Sequence, residues 1–186
     1  MTGVAATIAG ALTIAAVSTL GDFVWATWIP RHWPTYGLMH GALLFLSIGL
    51  FLGALARRPA AGAAAGVVIG VLAAGTFYLL EPLAGYSSMF LVWTGVWVAL
   101  AGLNGCLDQK RIDSRKVMAR GTVAAVASGA AFYAISAIWR PFDPRGWDYA
   151  VHLGAWTAAY LPGFGALLLS RERRSPDVGG SPGATG

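Results

Sequence analysis

Charge is scarce in this chain. Of its 186 residues, 11% are Asp, Glu, Lys or Arg, while 56% are hydrophobic. A soluble domain carries about a quarter charged residues, so the deficit excludes an ordinary water-facing surface and points to one that faces lipid. Cysteine is nearly missing too. Cys106 stands alone, which excludes an intrachain disulfide and a thiolate metal cluster. Strand-length alternation is also lacking. The apolar runs are dominated by Ala, Leu and Gly, so a barrel is excluded and each span must satisfy its own backbone hydrogen bonds as a helix. No Walker loop, GxSxG elbow, dinucleotide-binding fingerprint, HExxH or CxxCH occurs. Soluble-type catalysis therefore has little support, and a non-enzymatic role is the expectation. An intramembrane enzyme using Asp with His as acid and base on a lipid ranks lower.

What is present is a series of long apolar runs. About 20 mostly apolar residues cross a bilayer as a helix. Six segments qualify: Val4 to Trp28, Tyr36 to Ala56, Ala60 to Leu80, Ser87 to Leu107, Val117 to Trp139, and Tyr149 to Ser170. The expected fold is all-α, a polytopic integral membrane protein whose six transmembrane helices form three outward-pointing helical hairpins. Residues 1–170 make the transmembrane domain. Residues 171–186, with the Gly/Ser/Pro-rich "SPDVGGSPGATG", read as a disordered cytoplasmic tail. The first run is read as a span and not as a cleaved signal peptide, because residues 1–10 hold no Lys or Arg and the run is long for an h-region.

The net charge of +5 does not imply nucleic acid. Ten of the thirteen basic residues lie in three groups: Arg57 and Arg58; Lys110, Arg111, Arg115, Lys116 and Arg120; Arg171, Arg173 and Arg174. These follow the second, fourth and sixth segments, so the positive-inside rule makes that side cytoplasmic, together with both termini. The expected location is a bacterial-type inner membrane. The expected partners are the lipid bilayer and, beyond it, further copies of the chain or a larger membrane complex.

The opposite turns are "WIPRHWPTY", "EPLAGYS" and "WRPFDPRGWDY". Proline after a helix end stops the helix, and flanking Trp and Tyr suit the membrane interface. Two of these hairpins share W-x-P followed by W, Y, H and G, ending in His40-Gly41 and in His152 with Gly154. This pattern has two readings, a parallel repeat of helices one and two in helices five and six and, the preferred one, the ordinary recurrence of aromatic belts and turn prolines. Gly62, Gly66 and Gly70, with Gly49 and Gly53, mark faces where helices can approach closely. Trp93 and Trp97 read as internal packing.

The polar residues inside the runs are the functional signal. Asp22 is the one charged residue of the first segment and lies roughly 10 Å below its outer end. An ionised, unpaired carboxylate is costly there, so it should face the bundle interior with a partner or a proton. His40, His152 and Glu81 fall at similar depth on three other helices. Helical spacing adds Ser18 and Trp25 beside Asp22, Tyr36 beside His40, Tyr78 beside Glu81, and Tyr149 and Trp156 beside His152. Arg140, with Tyr133 and Ser136 stacked toward it, is a candidate counter-ion. For Glu81, an interfacial carboxylate before proline is the preferred account. His32, Arg31, Asp143, Arg145 and Asp148 need no more than solvent, headgroups or one another.

Three functions fit this layer. The first, and preferred, is binding or translocation of a small solute, proton or ion, with Pro162, Gly163 and Gly165 interrupting the sixth helix either as a hinge or as a packing kink. The second is ligation of haem or a divalent metal by His40 and His152, joined in the metal case by Asp22 and Glu81. The third is a structural or accessory subunit that binds lipid, pigment or partner helices.

Overall fold

A computed structural model describes residues 3–29, 34–108, 113–139 and 148–169. These form six helices, α1 (Gly3–Trp28), α2 (Pro34–Leu55), α3 (Pro59–Ala84), α4 (Ser88–Leu107), α5 (Ser114–Trp139) and α6 (Asp148–Leu168), with a 3₁₀ turn at Gly85–Ser87 and no strand among the described residues. The all-α expectation holds. Helices α1 to α4 are long and apolar enough to cross a membrane. By length and composition these four are the candidate spans among the described residues. The first turns of α5 carry Arg115, Lys116 and Arg120, and α6 carries Asp148, His152, Pro162 and three glycines. The tail from residue 170, the outer turns at 30–33 and 140–147, and the side chains of Trp25, Tyr133 and Ser136 lie outside the described residues. Arg140 and most of the repeated W-x-P patterns fall there as well.

The helix ends show local chemistry that the proline signals missed. Pro82 does not stop α3. The helix runs on to Ala84 and ends where Gly85, at φ 55°, turns the chain and its N–H donates to the Glu81 carbonyl. Pro162 likewise lies inside a continuous α6 and does not interrupt it. A proline forfeits one backbone bond, and the surrounding turns carry the helix past it. At the end of α2, Arg57 takes the left-handed conformation (φ 60°), and Arg58 N–H reaches the Gly53 carbonyl at 2.7 Å while Arg57 N–H reaches Ala54 at 3.1 Å. This is a Schellman closure with arginine where glycine is usual. Pro59 then opens α3, where its missing N–H costs nothing. At the start of α5 the Asp113 carboxylate accepts the Lys116 N–H and meets its ammonium at 3.0 Å. The Lys116 side chain bonded there holds that carboxyl below the ordinary range.

Each helix packs on its neighbours in sequence, and α1 also packs on α6, so the six close into a ring. The α2–α3 seam is made of glycine. A Cβ on Gly49 would strike the Gly62 carbonyl, one on Gly66 the Phe45 carbonyl, and one on Gly70 the Gly41 carbonyl. Main chain lies directly on main chain, the geometry that small residues four apart permit. Gly41 belongs to this seam together with the glycines singled out in the sequence.

The two halves of the ring differ. Toward the end that carries Arg57 and Arg58, the side chains of Ile14, Ile48, Leu52, Trp97, Leu100, Phe164 and Leu167 are fully buried. Trp97 rests against Gly163, which has no side chain to displace it. These residues fill the centre of that half. Toward the end that carries Tyr36, Tyr78 and Tyr149 the centre is open.

Candidate functional site

The open half holds a cavity of about 360 Å³ with walls from all six helices. Ser18 and Asp22 come from α1, Tyr36, Gly37, His40 and Phe45 from α2, and Phe77 and Tyr78 from α3. Met89 and Trp93 come from α4, Phe132 from α5, and Trp156 and Tyr160 from α6. Such a volume lies within the usual range of small-molecule sites, about 300–1,000 Å³. The packed half below makes the cavity blind at the basic end.

Asp22 joins α1 to α6 at the wall. Its Oδ2 stands 2.8 Å from His152 Nε2 and accepts the Trp156 indole N–H at 2.8 Å; that N–H also lies 3.0 Å from His152 Nε2. One turn deeper, Ser18 Oγ and the Tyr160 hydroxyl meet at 3.0 Å. The sequence folds this way because Ser18 and Asp22 are four apart on α1, and His152, Trp156 and Tyr160 are each four apart on α6, so two polar stripes face each other. The His152 side chain is 11% exposed and the Asp22 side chain 39%. His152 therefore lies behind Asp22 and does not line the cavity, while Asp22 does. Both bonds fall on Oδ2, and no hydrogen bond among the described residues reaches Oδ1.

His40 is held differently. Its ring rests on the bare backbone of Gly21, where a Cβ would collide with it. It stacks on Tyr36 at 5.9 Å with 13° between the planes. The Tyr36 hydroxyl in turn donates to the Gly21 carbonyl at 2.6 Å. Gly21 is thus a shelf that sets the imidazole beside Asp22. Gly37 provides a similar gap for the Tyr78 phenol.

The polar layer expected from the sequence is only partly one site. Asp22, His40, Tyr36, Tyr78, Ser18 and Trp156 share the cavity. Glu81 is exposed and absent from the cavity wall, in keeping with an interfacial carboxylate. Tyr149 packs edge-on against Phe23 at 5.2 Å and His152 at 6.1 Å, outside the wall. The side chain of Trp25 and the whole of Arg140 lie outside the described residues.

The geometry does not favour His40 and His152 as paired ligands. Only His40 lines the cavity, and Nε2 of His152 is taken up by Asp22 and Trp156. Among the described residues no group of three or more His, Cys, Asp or Glu side chains is placed to hold a metal ion.

Sequence reasoning missed the aromatic wall. Trp93 stacks on Phe132 at 5.0 Å and lies 5.7 Å from Tyr160; Trp156 lies 5.4 Å from Phe132 and stacks on Tyr160 at 5.5 Å. The i, i+4 recurrence from His152 through Trp156 to Tyr160 was the available signal on α6. Nothing local in α5 marks Phe132. No family model matches the chain, and neither a curated protein nor a solved structure matches it.

Proposed function

We propose that this chain is a small inner-membrane protein that binds or conveys a small solute through the cavity at Asp22. In this reading all six helices span, as three hairpins with the aromatic turns outward and the basic turns and both termini cytoplasmic. Several observations support that topology. The α2–α3 turn and the end of α4, with Arg57, Arg58 and Asp108, line one common cleft, so the basic turns gather at one end. The part of α5 after Arg120 is uncharged up to Trp139, and α5 and α6 close the same ring as the four more apolar helices.

The observation that carries the function is the cavity itself. A bundle built only for structure would fill its centre in both halves, since interiors pack densely and voids forfeit contacts. Here one half is filled and the other holds a space with a carboxylate, an imidazole, three phenols and a serine hydroxyl among apolar walls. Few polar groups in an apolar concavity are the usual composition of a ligand site.

The test is a thermal-shift screen of small solutes on purified protein, with Ala73→Phe as the control that fills the cavity. Ala73 lines the cavity, so phenylalanine there occupies the ligand's space. A ligand that binds the folded state raises Tm as its occupancy rises. Solutes that stabilise the wild type and leave Ala73→Phe unchanged support the reading. Stabilisation of both proteins alike, or of neither by any solute, overturns it.

A further inference from the structure

From the chemistry of the same cavity, and so resting on the reading above, we infer that its occupant is a small lipophilic organic monocation, such as an amine or quaternary ammonium with an apolar or aromatic body. The walls include eight aromatic side chains, with Trp93, Phe132, Trp156 and Tyr160 forming one continuous face. Aromatic faces carry negative quadrupoles and attract cations, most strongly where water is excluded. Among the described residues, Asp22 is the one carboxylate in the wall, and no Lys or Arg lines it. An anionic guest would meet Asp22 with no fixed cation among the described lining residues to offset the repulsion.

The arrangement of Asp22 separates the two faces of its carboxylate. Oδ2 is held by His152 and Trp156, which fix its rotamer. Oδ1 is left without a hydrogen bond among the described residues, on a side chain that lines the cavity. An ammonium N–H or a methylated ammonium placed there meets a negative oxygen on one side and rings on the others. Beside it, His40 in its neutral form offers a ring nitrogen as a further acceptor. The apolar remainder of the guest lies against Leu44, Met89, Val92 and Val96.

Three probes of nearly one shape test this: benzyltrimethylammonium, its uncharged carbon isostere neopentylbenzene, and the anion phenylmethanesulfonate. Binding is read by quenching of tryptophan fluorescence in phosphatidylcholine nanodiscs, with empty nanodiscs subtracted. The expected result is saturable binding of the cation about tenfold or more tighter than of the isostere, with the anion weakest. Asp22→Asn, which retains an acceptor for Trp156, should bring cation and isostere to within a few-fold of one another. Equal binding of cation and isostere by the wild type, or tighter binding of the anion, overturns the cation assignment and leaves the cavity as a solute site. Failure of all three to saturate overturns both. The wild-type comparison stands even if the variant does not fold.

Discussion

Asp22 and His152, 130 residues apart, meet at 2.8 Å between Oδ2 and Nε2 and fasten α1 to α6 where the ring closes. Trp156 adds its indole N–H to the same oxygen at 2.8 Å. Hydrogen bonds to a charged group are worth about 1.5–3 kcal/mol each when sheltered. Asp22 is 39% exposed, so the lower end of that range applies here. The direct check is a double-mutant cycle of Asp22→Ala and His152→Ala, read by thermal or denaturant unfolding in detergent. A coupling of about 1 kcal/mol or more is expected. Additive losses would show that the contact contributes no stability of its own.

The charge of the cavity gives a pH dependence with a definite sign. Among the described residues, the titratable groups around its polar end are Asp22 on α1, Tyr36 and His40 on α2, Tyr78 on α3, and Tyr160 and His152 on α6, with Tyr149 against His152. Protonation of Asp22 removes a negative charge, and protonation of either histidine adds a positive one. Each of these weakens the hold on a monocation. Affinity for a quaternary ammonium, which itself does not titrate, should therefore fall on acidification. Titrations at several pH values measure it. Affinity that rises on acidification contradicts Asp22 as the counter-ion.

The seam between α2 and α3 should be the part of the bundle least tolerant of added atoms. A methyl group on Gly66 points at the Phe45 carbonyl, which is backbone and cannot swing aside as a side chain can. Gly66→Ala should cost about 1–3 kcal/mol, the usual range for overpacking. Gly75 lies on the same helix, and a methyl group added there would meet nothing within 4 Å, so Gly75→Ala should be neutral. Unfolding midpoints of the two variants compare them directly. Equal effects would show that the helices separate without cost.

Much of this molecule is legible from its sequence, and the boundary has physical causes. Long Ala-, Leu- and Gly-rich runs without strand alternation favour helix, so the six elements could be read directly. The glycine seam was readable because spacing of four is a property of one helix. The meeting of Asp22 with His152 could be anticipated only as a need for some partner, since no local signal says which helix closes the ring. The same holds for the aromatic wall, where Trp93, Phe132 and Tyr160 come from three helices. Prolines misled for a related reason. Pro82 and Pro162 are strong breakers in water, yet the turns on either side continue the helix past each of them.

The orientation of the bundle is testable with the chain's own cysteine. Cys106 is the sole thiol, so Cys106→Ser gives a clean background for single reporters. Arg58 is exposed in the α2–α3 turn, and Ser87 is exposed in the 3₁₀ turn after α3. One helix, α3, separates them. If α3 spans and the basic turns face the cytoplasm, Ser87→Cys reacts with a membrane-impermeant maleimide added to intact spheroplasts, whereas Arg58→Cys reacts only after the membrane is opened. The asymmetry should be nearly complete, because a span of about 20 apolar residues gives no aqueous path for a charged reagent. The reverse pattern would place the cavity on the cytoplasmic side. Labelling of both sites from outside would mean that α3 does not cross.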